Sequence, residues 1–152
     1  MDMERATWQI AQRGWHSVVD AVIQWPKEGK ELPALVGRDV AYFEMRRMWL
    51  DCRGPLSIHP TAAFGFGVKI ITLSHDMSQC EFQIKAVPKP VIIDEGAQVY
   101  SFSLLYNCHI KHHAVVACGS VVRNMTVEPW TMVEGNPAQV IKKWDGEKWA
   151  PL

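Results

Sequence analysis

No charge of one sign dominates this chain: 16 basic and 16 acidic side chains cancel over 152 residues. A balanced surface exerts no long-range pull on nucleic acid or an anionic membrane, so neither is expected as a partner. Long apolar runs are missing as well. The first residues include Asp2, Glu4 and Arg5, and no uninterrupted apolar stretch approaches a signal-peptide core or a spanning helix. Cysteine is sparse and lacks C-x-x-C spacing: Cys52, Cys80, Cys108 and Cys118 stand singly. They read as reduced thiols of a cytoplasmic protein, with Cys108 and Cys118 inside a repeat where a small, half-apolar side chain fits. The length suits a single domain with a real core.

What is present is a period. Ile58, Phe64 and Ile70 stand six apart, as do Val87, Ile93, Val99 and Leu105. After a one-residue slip near Tyr106, the series continues as Leu104, Ile110, Val116 and Val122. Two positions before these residues stand mostly small ones: Ala62, Ala97, Ser103, Cys108, Ala114 and Ser120. Six is neither the 3.6-residue pitch of a helix nor the alternation of a half-buried strand. It suits a coil of three flat faces, with the large residue pointing inward and the small one near each corner. Stacked coils then bury a core that no single repeat buries alone. The sequence therefore predicts an all-β core, a parallel β-helix of hexapeptide repeats.

The first quarter differs. Trp8, Ala11, Trp15, Val18, Val19, Val22 and Ile23 recur at three and four and predict an amphipathic helix ended by Pro26. Residues 27–33 read as a loop, and a second helix is expected over 39–50. These N-terminal helices would cap the open end of the prism. Regular repeats begin near residue 56, stop at His75 and resume at Val91. Between them lies an excursion with Pro88 and Pro90, ordered by Phe82 and Ile84. The expected organisation is a helical cap over 1–55, the β-helix over 56–143 and a tail over 144–152. In the tail, the Asp145-Gly146 turn lies between Trp144 and Trp149.

Four stretches carry a family resemblance: Thr72-Leu73-Ser74-His75-Asp76, Pro90-Val91-Ile92-Ile93, Ala117-Cys118-Gly119-Ser120-Val121-Val122, and Glu128-Pro129-Trp130 leading into Gly135-Asn136-Pro137-Ala138. Together they resemble the left-handed β-helix acetyltransferases of the hexapeptide-repeat superfamily, and within it the colanic-acid and related polysaccharide O-acetyltransferases. The resemblance implies the left hand of the coil and acetyl-coenzyme A as donor. It also implies a saccharide-type or other small acceptor, and a homotrimer with active sites between subunits. It puts the catalytic base at His75, where the coil is interrupted, with Asp76 as a candidate to orient the ring. Imidazole is suited to take a hydroxyl proton at neutral pH. The donor's thioester side falls on Ser101 and, one coil later, on Cys118. Its phosphates and adenine fall near Arg123, Asn124 and Lys142, whose cations match an anionic ligand.

Two stretches depart from the family. Gln98-Val99-Tyr100 stands where relatives show Trp-Ile-Gly, and Asn107-Cys108-His109 where they show Pro-Gly-Val. The competing function is a non-catalytic trimeric scaffold or sugar-binding module without a donor site. His109, His112 and His113 suggest the metal sites of β-helical carbonic anhydrases. However, Ala117 and Cys118 occupy the places of the third ligand, and adjacent His112 and His113 cannot both face inward. No metal is expected.

Overall fold

The six-residue period becomes a parallel β-helix with three faces. The computed structural model describes residues 16–18, 21–24, 40–78 and 85–152. Strands β1 (His16–Val18) and β2 (Ala21–Gln24) and helix α1 (Val40–Glu44) precede the coils. The first coil holds β3 (Trp49–Asp51), β4 (Leu56–Ile58) and β5 (Ala63–Phe64). The second begins with β6 (Lys69–Ile71) and is interrupted by a hairpin, β7 (Leu73–His75) and β8 (Ala86–Pro88). It resumes in β9 (Val91–Ile93) and β10 (Gln98–Val99). The third is β11 (Leu104–Ile110) and β12 (Val115–Val116), the fourth β13 (Val121–Val127) and β14 (Thr131–Gly135). Strand β15 (Ala138–Trp144) runs back antiparallel to β14, and β16 (Trp149–Pro151) closes the chain antiparallel to β15.

Strand β3, β6 and the first halves of β11 and β13 pair in parallel as the first face. Strands β4 and β9 and the second halves of β11 and β13 form the second. The third runs β5, β10, β12, β14 and on to β15 and β16. Inward residues stack in columns: Leu50, Ile70, Leu105 and Val122; Ile58, Ile93, Ile110 and Val127; Phe64, Val99, Val116 and Val133. The small residues expected near the corners, Ala62, Ala97, Ser103, Cys108, Ala114 and Ser120, are all buried. Each large aliphatic so enclosed contributes about 1.5–3 kcal/mol, which is why the period dictates the architecture.

The one-residue slip recurs. Leu105 to Ile110 and Val122 to Val127 are the short steps, so Ile93, Ile110 and Val127 stack every 17 residues. The missing residue is taken up at the junction of first and second faces, where Asn107 and Asn124 have positive φ of 47° and 52°.

The N-terminal expectations need correction. Residues 16–18 and 21–24, predicted helical, are strands: β1 pairs antiparallel with β2, and β2 extends the first face alongside β3. The β-branched Val18, Val22 and Ile23 tolerate either periodicity. The backbone edge of β3 offers hydrogen bonds to a strand that a helix cannot use. The second helix, expected to residue 50, ends at Glu44; Arg47 takes a left-handed φ of 49° and β3 begins two residues later. The prism therefore starts at Trp49 rather than residue 56, and β16 carries its third sheet into the tail.

Helix α1 and the turn after it lie against the edge of β5. Phe64 N donates to Tyr42 Oη at 3.1 Å and Arg46 Nε to Phe64 O at 2.9 Å, so one side chain of the helix and one of the turn after it satisfy the edge of β5, while Phe43 is buried in the core. Trp8, Ala11, Trp15, the loop at 27–33, Cys80, Phe82 and Ile84 lie outside the described residues. No helix among the described residues is long and apolar enough to cross a membrane.

Candidate functional site

The candidate residues fall on the corners of the prism. Where the third face passes into the first, three turns stack: Gly65-Phe66-Gly67, Tyr100-Ser101-Phe102 and Ala117-Cys118-Gly119. Ser101 and Cys118 thus lie on one edge, one coil apart. Phe66 N donates to Ser101 Oγ at 3.0 Å, and Gly119 N donates to Ser101 O at 2.9 Å. Cys118 is exposed, whereas burial pushes the Cys52 and Cys108 thiols up to about 12 and leaves them inert.

Tyr100 occupies the position of Gly65 in the coil before and Ala117 in the coil after. Its ring stands outward, 42% exposed, and its hydroxyl donates to Gln98 Oε1 at 3.2 Å. The two outward residues of the first departing stretch, Gln98 and Tyr100, are therefore joined on the surface. Phe102, 68% exposed, holds the positive φ that Gly67 and Gly119 take in neighbouring coils, and its ring meets Phe66 edge-on at 6.0 Å.

His75 lies on a different edge. It ends β7, paired with Ala86 of β8, on the hairpin that leaves between first and second faces. The residue is exposed. Asp76 accepts from Ser78 N at 2.9 Å, and these bonds from Ser78 hold its carboxyl below the usual range. In this arrangement Asp76 is a turn residue.

The hairpin's foot is a buried polar network that the sequence reading missed. Thr72 Oγ1 donates to Asp51 O at 2.7 Å and accepts from Gly54 N at 2.9 Å. Arg53 pairs with the buried Asp51 carboxylate through two bonds of 2.8 and 3.1 Å, and Lys89 N returns to Thr72 O at 2.7 Å. Gly54 packs so closely on the Thr72 backbone that no side chain fits there.

Arg123, paired with Tyr106, is the last residue of the first face on this same side, and Asn124 is the corner beyond it. Asn107 Nδ2 donates to Asn124 Oδ1 at 2.8 Å. Lys142 sits on β15 opposite Met132. The expected donor set is therefore split within one chain: Ser101 and Cys118 on one edge, Arg123 and Asn124 beside the edge of His75, with the first face between them.

Of the three histidines considered for a metal, His112 and His113 meet edge-on at 5.9 Å and His109 is engaged elsewhere. His109 Nε2 bonds Asp94 Oδ2 at 2.7 Å on the second face. His113 stacks on Trp130 at 4.3 Å, in a corner column continued by Trp144 and Trp149. Among the described residues no three metal-ligating side chains converge. The signal for the asparagine pair was present in the sequence as the 17-residue spacing between 107 and 124; nothing local announced the contact between Asp94 and His109.

Three faces of six-residue steps with a hairpin thrown out at one corner define a left-handed β-helix of hexapeptide repeats. The fold is similar to that of a maltose O-acetyltransferase from Clostridium difficile, with TM-score 0.60 and 22% identity over 65% of this chain and 54% of that one. It is also similar to a hexapeptide-repeat acetyltransferase from Vibrio cholerae O1 biovar eltor in complex with acetyl coenzyme A, with TM-score 0.53 and 23% identity over 63% of this chain and 53% of that one. The chain thus matches about half the length of each. No protein-family model matches it, and no curated protein matches its sequence.

Proposed function

We propose that this protein is an acetyl-coenzyme-A-dependent O-acetyltransferase, moving the acetyl group directly to a hydroxyl of a carbohydrate-type acceptor. The observation that carries the reading is His75 on an exposed hairpin at a corner of a fold shared with two acetyltransferases, one of them solved with acetyl coenzyme A. An alcohol is a poor nucleophile while it keeps its proton. His75 takes that proton as the hydroxyl oxygen bonds to the acetyl carbon, backbone N–H groups stabilise the oxyanion, and the carbon–sulfur bond breaks. The proton then leaves with the coenzyme A thiol.

Ser101 and Cys118 line the thioester side of the donor site, and Arg123, Asn124 and Lys142 meet its phosphates. Because these groups occupy different edges of one chain, a complete site takes an edge from each of two chains. That division supports a homotrimer with its sites between subunits. The working compartment is the cytoplasm, which supplies both coenzyme A and reduced thiols.

Tyr100 favours a second reading, a trimeric scaffold or sugar-binding module, because a ring stands where the family carries glycine beside the donor. Coenzyme A separates the two. Specific binding raises the stability of the native state by about 2.7 kcal/mol at a hundredfold excess over Kd, read as a rise in melting temperature. An unmoved melting curve at millimolar coenzyme A rejects the enzyme reading in favour of the scaffold.

A further inference from the structure

An open groove runs along the outer side of the second face, beside its junction with the first. Asn107 and Asn124 come from the stacked corners, His109 and Thr126 from the outward column of β11 and β13, and Ile92 and Met125 add an apolar strip. Pro90, where the His75 hairpin rejoins the prism, borders it.

Its polar groups are only partly used. The bond from Asn107 Nδ2 to Asn124 Oδ1 leaves the Asn107 carbonyl oxygen able to accept. Asp94 accepts from His109 Nε2, so Nδ1 is the ring nitrogen left to meet a ligand. The Thr126 hydroxyl is exposed and both donates and accepts. The positive-φ corners of the other edges mix glycine with rings (Gly67, Phe102 and Gly119; Gly96, His113 and Trp130), whereas here both corners carry an amide. Acceptors and a hydroxyl set around a narrow apolar strip match a sugar ring, which offers hydroxyl donors at its rim and C–H groups on its face.

We propose that this groove binds the sugar ring of the acceptor, with Asn107, His109 and Thr126 holding its hydroxyls and Asp94 as a positioning residue acting through His109. The inference rests on the acetyltransferase reading, deepens it by locating the acceptor, and puts that acceptor at the foot of the His75 hairpin.

The probes are methyl glucoside, methyl galactoside and methyl mannoside, added to the full chain without donor and followed by saturation-transfer NMR. At least one binds. Asn107→Gly keeps the left-handed corner, since glycine adopts positive φ freely, but removes the amide. Thr126→Val and Asp94→Asn preserve shape. Each variant weakens binding about tenfold, the equivalent of one good hydrogen bond. Melting temperature is retained in all three, coenzyme A binding is retained in Thr126→Val and Asp94→Asn, which touch no donor-site residue, and in turnover acceptor KM rises while kcat holds. Undiminished binding in all three variants overturns the groove while leaving the acetyltransferase reading intact, and so does failure of all three sugars to bind. If sugar binds in the groove but coenzyme A does not bind at all, the acetyltransferase reading falls and the sugar site stands.

Discussion

His75 and Tyr100 are the two residues on which the functional reading turns, and the structure makes each testable by itself. His75 is exposed on a hairpin outside the packed columns, so its removal costs the prism no core. His75→Ala is expected to leave melting and coenzyme A binding nearly intact while turnover falls about 10²- to 10⁴-fold, the usual worth of a general base. Unchanged turnover would take His75 out of the mechanism, and lost coenzyme A binding would make it a donor contact instead. Tyr100 is half-exposed between the small Gly65 and Ala117, so Tyr100→Gly removes little packing and costs only the backbone freedom of glycine, about 0.5–1 kcal/mol. Coenzyme A binding is expected to weaken, with the ring acting as a wall of the donor edge. Tighter binding would identify the ring as an obstruction.

At the scale of elements, the hairpin β7–β8 depends on its foot rather than on its own strands. Two short antiparallel strands are marginal alone. Here their base is held by Thr72, Asp51, Gly54 and Arg53, and Thr72 and Asp51 are fully buried. Thr72→Val keeps the shape but leaves Gly54 N and Asp51 O without the hydroxyl in a buried space. It is expected to cost about 1–3 kcal/mol in chemical denaturation. Thr72→Ser retains the hydroxyl and should recover most of that loss; an equal loss in both variants would assign the effect to the methyl group's packing.

For the whole molecule, the division of candidate residues between two edges has a direct consequence for assembly. Light scattering should return about three times the 17.3 kDa chain mass, since cyclic closure is the common outcome when one face of a chain meets another. A shared site also allows complementation. His75→Ala damages one edge, and Cys118→Trp, at an exposed corner, blocks the other. Each variant alone is expected to be inactive. Refolding them together should restore part of the activity, because some interfaces then join two intact edges. A persistently inactive mixture, or a monomer at micromolar concentration, contradicts the shared site.

Periodicity by itself determined the prism, because a six-residue recurrence of large and small apolar residues has one economical burial, and Leu105, Val116 and Val122 point where that pattern sends them. The interruption at His75 and the turn at Asp145 were legible for a similar reason: local chemistry stops a strand whatever surrounds it. Residues 16–18 and 21–24 were not legible, since Val18, Val22 and Ile23 fit helix or strand equally and the open edge of β3 chose between them. Nor could a single chain of letters reveal that Asp94 meets His109, or that Ser101 and His75 occupy different edges, although the 17-residue spacing of Asn107 and Asn124 did mark their stacking. Those relations come from stacking, which brings residues 15 or 17 apart into contact and sends neighbours around a corner. Only the tertiary register determines which side chains share an edge.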